Sequence, residues 1–164
     1  MDKMRAVIFK EHGDIDRLQY TYVPRPKIGK RDVLVRVKAC ALNHLDLWTL
    51  AGRLGAKIPL PHILGCDIAG EIEEVGKKVW GLPLHHRVII APGMTPRKAK
   101  LDPSRCWDSL SDAYQIVGLQ TDGGYAEYVQ VPQENIIPVS NRWTYEEWAH
   151  GYGKRFGLVR VDAD

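Results

Sequence analysis

Three polar residues, Asn43, His44 and Asp46, lie within four positions of one another at the start of a short helical pattern. Because an imidazole titrates near neutral pH, His44 is the best candidate among them for moving a proton. At a helix start, an asparagine also caps backbone amides and a carboxylate favours the positive end of the helix dipole. The sequence therefore predicts a chemical site here, and it leaves open simple capping by Asn43 and Asp46 and an exposed helix-end role for His44.

Thiols and further histidines are the other side chains that could carry chemistry. The three cysteines, Cys40, Cys66 and Cys106, form no C-x-x-C pair, which argues against a disulfide framework and favours a reducing, cytoplasmic compartment. Cys66 is expected to be a small buried apolar residue rather than a nucleophile, because no His-Asn or His-Asp partner lies at a suggestive spacing. His85 and His86 precede a strand, where neighbouring side chains point to opposite faces, so they are not expected to bind one ion together.

The composition bounds the class of protein. A chain of 164 residues is the length of one domain. Hydrophobic residues at 45% and charged residues at 26% are typical of a globular protein. The net charge of +3 is spread along the chain, and the one tight basic cluster, Arg97, Lys98 and Lys100, is expected to be solvated, so no nucleic-acid partner is predicted. No apolar segment reaches membrane-spanning length and no signal core precedes residue 5, so no membrane partner is expected either.

The elements that position these residues are mostly strands. Residues 4–9 and 33–39 alternate between apolar and polar side chains, as half-buried strands do. Between them, two prolines and a glycine in residues 23–30 predict an extended loop without regular pairing. Residues 42–52 predict a short helix that is capped by Asn43 and stopped by Gly52.

The rest of the chain follows the same pattern of strands separated by turns. Further strands are predicted at 68–75, 87–91 and 125–131. A capping box at 144–147 predicts a second helix, which the glycines at positions 151 and 153 are expected to end within two turns. The sequence therefore predicts a mainly β protein with two or three short helices.

Five stretches resemble, in order, the amino-terminal catalytic domain of the medium-chain dehydrogenase/reductase superfamily, which contains the zinc-type alcohol dehydrogenases and quinone reductases. The ordered set is more specific than any single member of it. The resemblance implies a GroES-like, partly open β-barrel in residues 1–149, whereas residues 150–164 form a divergent tail that is either a truncation or a replaced segment. The matching stretches are Met-Arg-Ala-Val at 4–7, Asp-Val-Leu-Val-Arg-Val at 32–37, Leu-Asn-His-Leu-Asp-Leu-Trp at 42–48, Pro-His-Ile-Leu-Gly-Cys-Asp-Ile-Ala-Gly at 61–70 and Gly-Gly-Tyr-Ala-Glu-Tyr-Val at 123–129.

In a complete member of this superfamily, a Rossmann domain brings NAD or NADP to the cleft between two domains. The glycine-rich stretch at 151–157 does not have the context of a dinucleotide site, because a helix precedes its glycines and a β-like segment follows them. No Rossmann domain is therefore expected in this chain, and the isolated chain is predicted to be inactive. The resemblance makes His44 the residue expected to contact a cofactor ribose.

The resemblance also implies positions for a catalytic zinc, and this chain departs from them. Asn43 stands where the family usually has a cysteine, and Cys66 stands where it has the histidine of a Gly-His-Glu sequence. A neutral amide is a poor zinc ligand, so Cys66 with Asp46 or Asp67 predicts at best a weak site. Asn43, Cys66 and Asp67 are therefore interpreted as degenerate zinc positions. Members with Asn-His-Leu-Asp here resemble a branch that often works without catalytic zinc, in which a polar side chain orients the substrate carbonyl.

Two further departures concern loops. The family's structural zinc lobe has four closely spaced cysteines, and the equivalent residues 94–118 retain only Cys106. A single thiolate cannot close a tetrahedral site, so this lobe is expected to be metal-free. At His85 and His86 the family often has Gly-Asp, so a role in a turn is expected for this pair.

Two functional hypotheses follow. In the first, the chain is the substrate-side domain of an NAD(P)-dependent alcohol dehydrogenase or quinone reductase-like oxidoreductase. Asn43, His44 and Asp46 would then line the side that receives an alcohol, aldehyde, ketone or quinone, and a homo-oligomer is compatible with this hypothesis. In the second, it is a stand-alone, non-catalytic GroES-like binding module. A reading frame that continues into a glycine-rich βαβ unit after Ala149 would favour the first.

Overall fold

The computed structural model describes residues 2–97 and 113–156. Predictions about Lys98, Lys100 and Cys106 lie outside these residues. The described part contains two α-helices, α1 at His44–Leu50 and α2 at Tyr145–Phe156, and neither has the length and apolar character needed to cross a membrane. Its strands are β1 Lys3–Phe9, β2 Gln19–Pro24, β3 Asp32–Ala41, β4 His62–Ile63, β5 Asp67–Val75, β6 Arg87–Ile90, β7 Gly93–Met94, β8 Gln115–Ile116, β9 Tyr128–Pro132 and β10 Ile136–Pro138.

The strands form three antiparallel sheets that curl into a partly open barrel. Their orders are β2-β1-β4, β10-β6-β5-β3-β9 and β7-β8, and a bridge between Ala6 and Ala126 joins the first sheet to the segment that leads into β9. These observations confirm the prediction of a mainly β, partly open barrel with few helices. The main core cluster consists of buried branched residues from the five-stranded sheet and its surroundings: Val33, Val35, Ile68, Ile72, Val88, Ile90, Val117, Val129, Val131 and Ile136.

The prediction that residues 23–30 form a loop is wrong at its start, because β2 continues through Val23 and Pro24 and pairs with β1. The backbone amide of Arg25 donates to the carbonyl of Asp2 at 2.9 Å. Successive amides along a strand point in opposite directions, so position 24 faces away from β1. Since β2 is an edge strand, the missing N–H of Pro24 costs no ladder hydrogen bond there.

The strand predicted at 125–131 begins three residues later, at Tyr128. The preceding segment pairs with β1 instead: the Val7 amide donates to the Tyr125 carbonyl at 2.8 Å, and the Glu127 amide donates to the Arg5 carbonyl at 3.0 Å. The chain therefore changes partners at this point, which directs Tyr125 toward the helix α1 region described below.

Helix α2 does not end within two turns, as predicted, but runs through both of its glycines to Phe156. The predicted capping box is present, with the Glu147 amide donating to Thr144 Oγ1 at 3.2 Å and the Thr144 amide donating to the Glu147 carboxylate at 2.6 Å. Trp148 and Ala149 pack against the five-stranded sheet. A glycine inside a helix costs about 1 kcal/mol but raises no steric barrier, so a capped and packed first half tolerates Gly151.

His85 is expected to be a point of backbone strain, and its replacement by glycine should stabilise the protein. Its φ is +63°, in the left-handed region that β-carbon-bearing residues avoid. We expect His85→Gly to raise the free energy of unfolding in urea by about 1 kcal/mol. His86→Gly is the matched control: its φ is not positive, so the same change should destabilise by about 0.5–1 kcal/mol. Equal losses in both variants would contradict a strained His85.

Candidate active site

The start of α1 holds Asn43 in the geometry of a helix cap. Asn43 has extended backbone angles, and its Oδ1 accepts a hydrogen bond from the Leu45 amide at 3.0 Å. In return, Asp46 Oδ2 accepts from the Asn43 amide at 2.8 Å. The two residues therefore form the reciprocal capping pair that their spacing indicated, and this pair fixes both side chains at the end of β3.

Asp46 joins three separate segments of the chain. It is only 6% exposed, and its carboxylate also accepts from the Gly65 amide at 3.1 Å and from the Tyr125 hydroxyl at 2.8 Å. Burial raises the pKa of Asp46, while the hydrogen bonds from Asn43, Tyr125 and Gly65 oppose that rise. Asp46 therefore holds the start of α1, the turn before β5 and the segment before β9 together.

The amide group of Asn43 is held on both sides. Its Nδ2 donates to Asp67 Oδ2 at 2.9 Å, and its Oδ1 is occupied by the Leu45 amide. Because one partner is a donor and the other an acceptor, the orientation of the amide is determined. One N–H of Nδ2 is satisfied by Asp67, which leaves the second N–H for another acceptor.

Two thiols adjoin the carboxylates of this site. Burial raises the pKa of Cys40, and the negative charge of Asp46 raises it further. Burial also raises the pKa of Cys66, with additional contributions from Asp67 and Asp46. Both are free cysteines, and both should remain protonated at neutral pH. Within the described residues, no group of three or more His, Cys, Asp or Glu side chains is placed to hold a metal ion.

Asn43, His44 and Asp46 all line one depression of about 360 Å³. His44 lies on the exposed side of α1 with its ring 6.1 Å from that of Trp48. Leu42 and Leu47 are 86% and 53% exposed. The remaining lining is mainly apolar and comes from Ile15, Leu18, Leu42, Leu47, Leu50, Leu64 and Tyr125. We call this depression the Asn43 cleft. Cys66 and Asp67 do not line it.

Tyr125 is a member of this site that the sequence analysis missed. Burial raises the pKa of Tyr125 and its hydrogen bond to Asp46 raises it further, so its hydroxyl stays a donor. The sequence feature that could have indicated Tyr125 is the pair of glycines that precedes it. A β-carbon on Gly123 would lie 2.3 Å from the Gly65 carbonyl oxygen, and one on Gly124 would lie 2.4 Å from Ile68. Only glycines allow this close approach, which brings Tyr125 to Asp46.

Comparison with known proteins identifies the family of this chain. Residues 29–141 match the alcohol dehydrogenase GroES-like domain. The alcohol dehydrogenase of Geobacillus stearothermophilus is 36% identical over 133 residues, which are 80% of this chain and 39% of that protein. An NAD-dependent alcohol dehydrogenase of Saccharolobus solfataricus is 36% identical over 142 residues, which are 79% of this chain and 38% of that protein. An L-threonine 3-dehydrogenase of Symbiobacterium thermophilum is 33% identical over 140 residues, which are 82% of this chain and 38% of that protein. The chain thus spans less than half the length of these relatives.

Solved structures agree with these relatives. The crystal structure of an NAD-dependent alcohol dehydrogenase superimposes with a TM-score of 0.82 at 40% identity, covering 89% of this chain and 42% of that one. The structure of a thermostable alcohol dehydrogenase from Pyrobaculum aerophilum, with cobalt and zinc bound, superimposes with a TM-score of 0.78 at 32% identity. The superposition covers 90% of this chain and 44% of that one. The resemblance predicted from the sequence is confirmed. The chain belongs to the alcohol dehydrogenase GroES-like domain family of the medium-chain dehydrogenases and reductases.

Proposed function

We propose that this chain is the substrate-side catalytic domain of an NAD(P)-dependent oxidoreductase of the alcohol dehydrogenase type. The observation that carries the proposal is the Asn43 side chain, whose amide is fixed by Leu45 and Asp67 at the wall of an apolar cleft. The dehydrogenase names of the relatives support the class of reaction. A nicotinamide cofactor, bound outside this chain, would supply or accept the hydride.

Asn43 has one N–H left for a substrate oxygen. Donation of this hydrogen bond would orient a carbonyl in the Asn43 cleft and stabilise the negative charge that develops on its oxygen during reduction. Asp67 would keep the N–H side of the amide facing the substrate, because it accepts the other hydrogen. His44, at the exposed edge of the same cleft, would exchange the oxygen's proton with solvent and would contact the cofactor ribose.

The lining of the cleft favours an uncharged substrate. Among the residues that line it, no Lys or Arg is present to pair with a carboxylate or a phosphate. The carboxylate of Asp46 is already occupied by three donors. A neutral alcohol, aldehyde, ketone or quinone is therefore the proposed partner, in preference to a zwitterionic amino acid.

The proposed enzyme works without catalytic zinc, so we expect well under one zinc per chain in protein purified without added metal. The Asn43 amide is neutral and its Oδ1 already accepts from the Leu45 amide, so it is a poor zinc ligand, and Cys66 is expected to remain a thiol. Elemental analysis after dialysis against a mild chelator measures the content. One tightly held zinc per chain would contradict this part of the proposal.

The proposal can be tested on the chain as it stands. Titration with benzyl alcohol, followed by amide chemical shifts in two-dimensional NMR, should give saturable changes at Asn43, Leu47 and Tyr125. Calorimetric titration with NADH or NADPH should show no micromolar binding, because the pyrophosphate contacts and the acidic ribose partner of a Rossmann crevice lie outside this domain and a contact from His44 alone is weak. Changes confined to other surfaces, or tight NADH binding, would contradict a substrate-side role.

A cytoplasmic location belongs to the same proposal and is supported by the free thiols of Cys40 and Cys66.

A further inference from the structure

The strand β2 is an edge of the three-stranded sheet, and its outer side carries unpaired main-chain groups. The Arg25 amide points to β1, and successive amides along a strand alternate in direction, so those of Tyr20 and Tyr22 point away from β1. Among the described residues, the amides and carbonyls of these two tyrosines have no hydrogen-bond partner. The edge therefore offers two donors and two acceptors to a further strand.

This edge lacks the features that usually keep sheets from pairing with one another. Exposed edges are commonly protected by charged side chains, bulges or prolines. The strand reads Gln-Tyr-Thr-Tyr-Val-Pro, which contains no charged residue, and its pairing with β1 has no irregularity. Tyr20 and Tyr22 are 69% and 66% exposed on one face of the strand. The one proline, Pro24, stands at its end, so the edge is open to pairing from Gln19 to Val23.

The hydrogen-bonding groups select a second copy of the same strand in one register. In a two-fold antiparallel pair centred on Thr21, Tyr20 lies opposite the partner's Tyr22, and the reverse holds by symmetry. Every outward amide and carbonyl of these tyrosines is then paired. A centre shifted to either neighbour would leave a carbonyl of each chain unpaired, because Pro24 has no N–H and the Leu18 amide already donates within the preceding turn.

Charges on the two sides of β2 agree with an antiparallel arrangement. Asp14 and Asp16, both exposed, lie just before the strand, and the exposed Lys27 lies just after it. The nearby Arg17 forms its closest ion pair with Glu11. Antiparallel pairing brings the aspartates of one copy toward the partner's Lys27, twice by symmetry, whereas parallel pairing would bring carboxylates together. Opposite charges across a contact favour the correct orientation and oppose the wrong one.

We propose that the edge of β2 is a self-association surface, through which two copies of this chain form a two-fold dimer with one continuous antiparallel sheet. Main-chain hydrogen bonds at Tyr20 and Tyr22, cross-strand contacts between their rings and the flanking charges hold the copies together. The contact is small, so we expect a dissociation constant on the order of 100 µM. No residue of β2 lines the Asn43 cleft, and the proposal does not depend on the function proposed for that cleft.

Sedimentation equilibrium of the whole chain tests the dimer directly. At that affinity, the chain should be mostly monomeric at about 10 µM and mostly dimeric at about 500 µM. Amide hydrogen exchange, followed by NMR, should slow about threefold at Tyr20 and Tyr22 over the same range, because the dimer covers these groups. The amides of Thr21 and Val23 face β1 and are the internal controls, so their exchange should not depend on concentration.

Paired charge variants test the register. Tyr20→Lys combined with Tyr22→Lys places like charges opposite one another and should keep the chain monomeric at about 500 µM. Tyr20→Lys combined with Tyr22→Glu places opposite charges there and should restore the dimer. Tyr22→Pro removes an outward N–H without affecting the ladder to β1, so it should weaken dimerisation by about tenfold or more. Circular dichroism checks that each variant is folded.

The controls also define the results that contradict the proposal. Leu47→Asp alters the Asn43 cleft and should leave dimerisation unchanged. The proposal is overturned if the parent chain stays monomeric over the whole concentration range, or if exchange at Tyr20 and Tyr22 does not depend on concentration. It is also overturned if the lysine–glutamate variant is as monomeric as the double-lysine variant, or if Leu47→Asp abolishes the dimer.

Discussion

Replacing Asp46 by alanine is expected to lower the free energy of unfolding by about 3–5 kcal/mol. The carboxylate accepts hydrogen bonds from the Asn43 amide, the Gly65 amide and the Tyr125 hydroxyl, and it is almost fully buried. Alanine would leave all three donors without an acceptor in a site that water reaches poorly. Urea unfolding of the isolated chain, followed by fluorescence, measures the loss.

Two control variants separate the hydrogen bonds from the shape of the side chain. Tyr125→Phe removes one donor together with the need to satisfy it, and should cost about 1 kcal/mol. Asp46→Asn keeps the shape of the side chain and one acceptor oxygen. Its loss in the free energy of unfolding should therefore lie between the losses of Tyr125→Phe and Asp46→Ala. A loss of less than 1 kcal/mol for Asp46→Ala would mean that Asp46 does not hold these segments together.

Replacing Asn43 is expected to reduce turnover on the order of 10²-fold, the usual effect of removing one hydrogen-bond donor to a developing oxyanion. The measurement requires a complete enzyme. A suitable one joins residues 1–149 to the part of the Saccharolobus solfataricus alcohol dehydrogenase that lies outside its matched 142 residues. In this fusion, Asn43→Ala should lower kcat and leave the affinity for NADH nearly unchanged.

Asn43→Ser is the control that separates catalysis from capping. Serine keeps an oxygen that accepts from the Leu45 amide, so the cap is retained, whereas the hydrogen bond from Nδ2 to Asp67 is lost. Its hydroxyl can donate, but it lies one bond short of the position of Nδ2 and is not held by Asp67, so turnover should stay low. If Asn43→Ser is as active as the parent fusion, Asn43 acts only as a helix cap.

The local features of this site could be predicted from the sequence. Capping by Asn43 and Asp46 depends on residues three apart, and the strand prediction at 33–39 depends on a two-residue period of residue types, so both are visible in short windows. The strands β4, β7, β8 and β10 have only two or three residues, which is too short for any period to appear.

The contacts that complete the site are non-local. Asn43 and Asp67 are 24 residues apart, and Asp46 and Tyr125 are 79 residues apart. No pattern of residue types specifies such pairs before the sheet order is known. Pro24 illustrates the same limit, because the residue is acceptable in a strand only where that strand is an edge. The family resemblance supplied the positions of Asn43 and Cys66, but it did not indicate the hydrogen bond to Asp67.

The most direct test of the substrate-side role is the rate of NADH and NADPH oxidation with benzaldehyde, measured side by side for the isolated chain and for the fusion at equal concentration. Hydride transfer requires the nicotinamide to be held against the substrate, and the proposed domain provides only the substrate side. We predict steady turnover by the fusion and no rate above background for the isolated chain. Saturable turnover by the isolated chain, or a folded fusion that binds NADH but reduces neither aldehydes nor quinones, would contradict the account.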